Sequence, residues 1–129
     1  MTARFWIVCA GFAGATGVIA GAFGAHGLEV SYTEDLIDIW RTASTYQLFH
    51  APALLGVGVL MRILGRQRFL ALAGWFFLVG IIVFSGTLYV LVLTGQRWFG
   101  AITPIGGFSL ILGWLALIFA EVGEEKREG

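Results

Sequence analysis

The sequence predicts an all-α integral membrane protein: a four-transmembrane-helix bundle with an amphipathic interfacial extension at the start of helix two. Of its 129 residues, 58% are hydrophobic and only 12% are charged, about half the charge expected of a soluble domain. The apolar residues also form four stretches long enough to cross a bilayer. We therefore treat residues 1–129 as one membrane domain, with spans at about 5–24, 48–64, 69–93 and 102–120.

The first span covers 20 residues without a charge, Phe5–Gly24, which is about 30 Å of helix. Its small residues share one helix face, where another helix backbone can approach closely. This predicted packing face consists of Gly14, Gly17, Gly21 and Gly24. Ala20–Ala22 also fits a signal-peptide cleavage site, but the apolar core is long for one and the glycine face needs a partner. We expect the span to be retained.

The second helix is predicted to run to Leu64, which is too long for a membrane span alone. Ser31–Glu34 fits a capping box at its start. We expect residues 33–47 to lie in the interface, with Trp40 and Tyr46 near the headgroups. Pro52 removes one backbone donor and is expected to kink the helix.

The third and fourth spans follow a short basic loop. Residues 69–93 would extend about 37 Å as a helix and must tilt or emerge from the bilayer. Thr103 and Pro104 suit the first turn of the fourth helix. Gly106, Ser109 and Gly113 give that helix a second face of small residues, with the two glycines as its packing positions. Residues 121–129 form a charged tail, expected to be solvated.

The basic residues predict the orientation. Four spans place both termini on one side, with six Lys or Arg residues there against two on the other. The larger group is Arg4, Arg62, Arg66, Arg68, Lys126 and Arg127, and the smaller is Arg41 and Arg97. Because cytoplasmic loops carry the excess of positive charge, both termini are predicted to be cytoplasmic.

With this orientation, polar side chains from all four helices fall in or beside the outer half of the bundle. Polar groups at this depth seek partners, so they form a candidate ligand-binding cluster. Its predicted members are His26, Tyr46, Gln47, His50, Ser85, Tyr89 and Thr103. The same residues could instead only hydrogen-bond neighbouring helices. The question that separates the two hypotheses is whether the cluster closes on itself or lines a cavity.

No cofactor, metal site or catalytic activity is predicted. His26 and His50 are the two histidines, and together they could hold haem or a metal if they approached each other. The single cysteine, Cys9, excludes an intrachain disulfide and a multi-cysteine metal site. Ser85 with His50 could form a nucleophile and base pair, but no catalytic motif accompanies them.

The net charge and the positions of the charged residues argue against two classes of function. The net charge of zero disfavours nucleic-acid binding, and the uncharged first span lacks the carboxylate of a proton-coupled antiporter. We expect a structural, accessory or assembly protein that packs against itself or a larger membrane complex. The alternative is a binder of a lipid or quinone at the outer cluster, and a homo-oligomeric transporter is weaker. We expect membrane lipids to be among its partners.

Several short motifs stand in order along nearly the whole chain. They are Gly21–Leu28, Trp40 to Ala43, Tyr46-Gln47 with His50-Ala51, Phe84 to Tyr89, Leu93–Gly95, and Ile102–Gly107 with Gly113-Trp114. As an ordered set, they resemble the family catalogued as domain of unknown function four-two-three, small four-helix proteins of bacterial inner membranes. Pro52 departs from the small or apolar residue expected there. The resemblance implies the four-helix fold and a bacterial inner-membrane location, and it brings no activity.

Overall fold

The computed structural model describes residues 1–125, and side chains are described for residues 1–120. Within this part of the chain the structure is helical without strands, which confirms the all-α class. The helices are α1 (Ala3–His26), α2 (Glu34–Leu64), α3 (Arg68–Gly80), α4 (Gly86–Thr94) and α5 (Thr103–Glu125). A π-helical segment, Ile81–Ser85, joins α3 to α4, so that Arg68–Thr94 is one continuous third span. Four helices in the described residues are long and apolar enough to cross a membrane.

The start of α2 differs from the prediction. Thr33 is the N-terminal cap residue and its hydroxyl donates to Asp35, whereas the Ser31 N–H donates to the Leu28 carbonyl. The predicted capping box at Ser31 is therefore wrong. The segment expected to lie in the interface, 33–47, is the first half of one helix that continues through Pro52 to Leu64, as predicted for helix two.

Trp40 shows why the first half of α2 belongs to the bundle. Its side chain, expected near the headgroups, is buried between helices. The indole N–H donates to the Ala20 carbonyl of α1 at 2.7 Å, and its ring packs against Tyr89 of α4. The last helix is also longer than the predicted span, because α5 continues through Glu125. The rest of the predicted tail, residues 126–129, lies outside the described residues.

The helices pack as two pairs joined through α2. The most extensive contacts are those of α1 with α2 and of α3 with α5. On α1, a Cβ built at Gly17 would lie 2.9 Å from Leu48, and one at Gly24 would lie 2.5 Å from Trp40. Gly14 faces Ala51 of α2 at 3.9 Å. Gly21 does not share this role, because no described atom lies within 4 Å of its Cβ position.

The third span and α5 are also held together at glycines. A Cβ at Gly106 would overlap the backbone of Phe84 in the π segment, and one at Gly113 would lie 2.6 Å from the Phe77 ring. The turns before α3 and after α4 use Gly65 and Gly95, whose φ angles of 80° and 71° favour glycine. The fold thus depends on close backbone contact between helices.

Candidate functional site

Gln47 of α2 joins three helices through its side-chain amide. Its Nε2 donates to the Ala13 carbonyl at 2.9 Å and to Thr16 Oγ1 at 2.8 Å, both on α1. Its Oε1 accepts a 2.8 Å hydrogen bond from the Tyr89 hydroxyl of α4. Gln47 is buried, so these bonds satisfy an amide that would otherwise be costly to place inside a membrane protein. Two predicted site residues, Gln47 and Tyr89, are thereby brought together.

The Gln47 network lies at the wall of a cavity of about 540 Å³ between α1 and the third span. We call this cavity the lateral groove. Among the described residues, its lining is mostly apolar and has no charged side chain. The groove is lined by Val8, Cys9, Phe12, Ala13, Thr16, Gln47, Leu78, Ile81, Ile82, Ser85, Gly86 and Tyr89. Gln47 and Tyr89 therefore bond to each other and also line a cavity.

Aromatic residues hold α1 to the third span at the two ends of the groove. At one end, Trp6 packs edge-on against Trp75, with ring centroids 5.4 Å apart, and fits over Gly74. At the other end, Trp40 contacts both Ala20 and Tyr89. Between these two contacts the helices are separated, and this separation forms the groove.

The open side of the groove is marked by three apolar side chains. Val8, Phe12 and Ile82 are 60%, 74% and 62% exposed. In a bilayer such side chains face the acyl chains, because the surrounding solvent is lipid. The groove is therefore accessible from the side of the protein.

The π-helical segment forms part of the groove wall. Ile81, Ile82 and Ser85 all belong to it, and Gly86 follows directly. Single π turns inside α-helices occur frequently at functional sites. The Ser85 hydroxyl donates to the Ala43 carbonyl of α2 at 2.7 Å, which fixes this wall to the centre of the bundle.

His50 lies one turn beyond Gln47 on α2 and faces a different set of partners. Its Nδ1 lies 2.7 Å from the Tyr46 carbonyl, and its Nε2 lies 3.1 Å from the Trp114 indole nitrogen. An indole N–H can only donate, so Nε2 is the acceptor and Nδ1 carries the proton. Both ring nitrogens are thus occupied in a neutral imidazole.

The structure does not bring the two histidines together. His26 is exposed at the last turn of α1. It lies ten residues beyond Thr16, which corresponds to about 15 Å along a helix, whereas His50 lies on the opposite side of Gln47 from that end. The proposed nucleophile and base are also separate, because Ser85 donates to Ala43 while His50 binds Tyr46 and Trp114.

The two remaining predicted site residues lie outside the groove lining. The Thr103 hydroxyl is 2.8 Å from the Thr87 hydroxyl and links α5 to α4. Tyr46 is 44% exposed, and its ring packs on Phe84 with centroids 4.4 Å apart. Of the seven predicted residues, the lateral groove includes Gln47, Ser85 and Tyr89.

Sequence reasoning missed Thr16 and Trp114, which bond Gln47 and His50. Thr16 lies one residue from Gly17 on the predicted packing helix, so a polar residue beside a glycine face was an available signal. Trp114 is 49% exposed, and its place in an apolar span resembles that of any lipid-facing aromatic residue. Nothing in the local sequence marks its contact with His50.

Comparison with known proteins agrees with this architecture. A family model described as protein of unknown function (DUF423) matches residues 20–107. A UPF0382 membrane protein of Staphylococcus aureus is 47% identical over 100 residues, covering 78% of this chain and 80% of its own length. YwdK of Bacillus subtilis, another UPF0382 membrane protein, is 40% identical over 102 residues, covering 79% of this chain and 83% of its own.

The chain belongs to the DUF423 family. It is a membrane protein, as the names of its DUF423 relatives state. No solved structure matches it. The matched range contains α2, the third span and the start of α5. The α2 helix and the third span supply seven of the twelve described residues that line the groove. Because the family has no established activity, a functional hypothesis must come from the geometry.

Proposed function

We propose that this DUF423 protein binds an amphipathic lipid in the lateral groove. The observation that carries the proposal is the combination of apolar walls with one hydrogen-bonded polar end, formed by Thr16, Gln47 and Tyr89. Ligand sites commonly have this composition, with few polar groups that orient a mostly apolar ligand. The volume of about 540 Å³ also lies within the range of such sites.

The exposed rim favours a ligand that comes from the bilayer. Val8, Phe12 and Ile82 surround the opening, so a lipid chain can enter from the side without crossing water. A charged water-soluble ligand would find no opposite charge among the lining residues. The lipid chain is expected to lie along Val8, Phe12 and Ile82, with its polar group towards Tyr89.

A groove-filling substitution tests the proposal. Gly86 lines the groove, and no described atom lies within 4 Å of its Cβ position. Gly86→Leu should therefore fill the groove without displacing a neighbouring helix. Gly56 has equally open space but does not line the groove, so Gly56→Leu is the matched control.

Native mass spectrometry of protein purified in mild detergent provides the measurement. Wild type and Gly56→Leu should retain a bound lipid mass, and Gly86→Leu should lose most of it. Equal retention by Gly86→Leu, or no bound lipid in wild type, would contradict the proposal. The melting temperature of each variant shows whether it is folded.

A packing role is the second candidate, and a different surface favours it. On its other side, α1 forms with α2 an apolar cavity of about 420 Å³, the rear groove, which includes Gly11, Gly14 and Pro52. Small residues beside a groove allow a helix of another subunit to approach. Gly11→Leu has space within the chain and should abolish a homo-oligomer if this groove is the interface. An oligomer that persists in Gly11→Leu would exclude that interface.

We also infer a bacterial inner-membrane location with both termini in the cytoplasm. The excess of basic residues at the terminal end supports this orientation. Arg41 and Arg97, at the other end, each form an ion pair, with Asp38 and Asp35 respectively. Neither catalysis nor a resident cofactor is part of the proposed function.

A further inference from the structure

The direction of each hydrogen bond in the lateral groove follows from acceptors that cannot donate. Thr16 Oγ1 donates to the Phe12 carbonyl at 2.7 Å, so it must accept from Gln47. The Ala13 carbonyl also only accepts. The nitrogen of the Gln47 amide therefore faces α1, and its oxygen faces Tyr89. Because that oxygen cannot donate, the phenol of Tyr89 is the donor.

Every side-chain N–H and O–H hydrogen of the groove is used by the protein itself. Thr16 donates to Phe12, Gln47 donates twice to α1, and Tyr89 donates to Gln47. Ser85 donates its hydroxyl hydrogen to Ala43. The backbone N–H of Gly86 is bonded to carbonyls of the π segment. These polar groups of the groove lining thus have no N–H or O–H left for a ligand.

Lone pairs remain on several of the same oxygens. The phenol of Tyr89 and the hydroxyl of Ser85 donate but do not accept in the bonds above, and Gln47 Oε1 accepts only one of two bonds that a carbonyl oxygen can accept. Tyr89 is only half-buried and is one of the residues that line the groove. The groove consequently offers a ligand hydrogen-bond acceptors and no positive charge.

We propose that the lateral groove selects a neutral lipid alcohol, whose hydroxyl donates to Tyr89 or Gln47. This inference rests on the proposed lipid-binding function and narrows its ligand class. Lipid phosphates, esters, ethers and quinone carbonyls are acceptors, so they meet no free N–H or O–H donor in the groove. Diacylglycerols and polyprenols both carry the required hydroxyl on an apolar body.

The only cysteine of the chain provides a probe. Cys9 lines the groove, so an occupant should slow its alkylation by N-ethylmaleimide in mild detergent. The ligands compared are 1,2-dioleoylglycerol and its 3-O-methyl ether, and a polyprenol and its methyl ether. The alcohol of a pair should protect Cys9 at about five- to tenfold lower concentration, the discrimination given by one hydrogen bond. The pair that shows the larger effect distinguishes glycerolipid from isoprenoid.

Two variants make opposite predictions. In Gln47→Leu, the Tyr89 hydrogen is released, so the ether gains a donor and the preference for the alcohol should disappear. In Tyr89→Phe, Gln47 Oε1 loses its partner and becomes a free acceptor, so the preference should remain. A merely structural role for Gln47 and Tyr89 would not separate the variants in this way.

The outcomes distinguish this inference from the proposed function. Equal protection by alcohol and ether in wild type overturns the preference for a donor while lipid binding stands. Stronger protection by the ether also overturns it. Absence of protection by all four lipids contradicts both proposals. If Gln47→Leu does not fold, the comparison of alcohol with ether in the wild type still decides the inference.

Discussion

At the scale of single residues, two buried tryptophans differ in one hydrogen bond. Trp6 is fully buried, and its Nε1 has no acceptor among the described residues. Trp40 is almost as buried, and its Nε1 donates to Ala20. A buried donor without a partner costs about 1–3 kcal/mol, so these two side chains provide a matched comparison.

Phenylalanine at each position tests this difference. Both substitutions remove a similar volume, but Trp6→Phe also removes an unpaired donor, whereas Trp40→Phe removes a formed hydrogen bond. We expect Trp40→Phe to reduce the free energy of unfolding by about 1–3 kcal/mol more than Trp6→Phe does. Unfolding in mixed micelles of mild detergent and dodecyl sulfate measures it. Equal losses would show that the indole N–H groups do not contribute differently.

The residue scale also shows the limits of the sequence. Gln47 and Tyr89 were predicted in one cluster because both are polar residues at similar depth in apolar spans. His26 was grouped with them by depth alone, and it lies elsewhere because rotation about each helix decides which residues meet. The length of an apolar span fixes its depth in the membrane. Its rotation about the helix axis is not fixed in this way, because lipid tails are as apolar as the side chains that face them. The partners of His50 were therefore not predictable.

At the scale of helices, α5 approaches the backbone of the π segment closely at a glycine. Gly106 lies against the backbone of Phe84, where a Cβ would lie 2.7 Å from Cα of that residue. Backbone cannot move aside as a flexible side chain can. The π segment at Phe84 thus packs directly against the position on α5 where Gly106 has no side chain.

Alanine at Gly106 is expected to be strongly destabilising. The added methyl group must separate α5 from the third span, and overpacking of this kind costs about 1–3 kcal/mol. Gly86→Ala is the control, because its Cβ meets open space and alanine favours helix. The thermal midpoint in detergent should fall in Gly106→Ala and stay equal or rise in Gly86→Ala. A Gly106→Ala protein as stable as wild type would contradict the close contact between α5 and Phe84.

The existence of the helices was predictable, but the π segment was not. Long apolar runs define the spans to within a few residues, since each must cover the bilayer thickness. An extra residue in one helical turn does not change the apolar composition of the third span. The residue types of Ile81–Ser85 therefore give no indication of the π turn. The length of α2 was predictable, but the burial of its first half was not. Charged residues near Glu34 indicated an interface, while burial of Trp40 depends on contacts with α1 and α4.

At the scale of the whole molecule, the distribution of arginine predicts the orientation. Ser31 and Arg66 are exposed in loops at opposite ends of the bundle. In a Cys9→Ser background, Ser31→Cys should react with a membrane-impermeant maleimide on intact cells. If the cells have an outer membrane, it is first made permeable to the reagent. Arg66→Cys should react only after the inner membrane is opened. The reverse pattern would show that both termini face outwards.

The groove also changed the order of the functional hypotheses at this scale. From sequence, a packing role came first because the glycine face of α1 needed a partner. Most of that face is covered by α2 of the same chain at Gly14, Gly17 and Gly24, so it requires no second protein. The cavity on the other side of the same helix could not be inferred, because a cavity depends on where two helices fail to meet.

The pairing of the helices has a consequence for how the chain is assembled during translation. The two most extensive helix contacts join neighbours in the sequence, α1 with α2 and the third span with α5. Each pair is complete as soon as the ribosome has delivered its second member, so each can enter the membrane as a hairpin. The contacts of Gln47 with Tyr89 and of Ala43 with Ser85 form only when the second hairpin docks on the first. Two polypeptides divided within residues 65–67 should therefore reassemble when they are produced together.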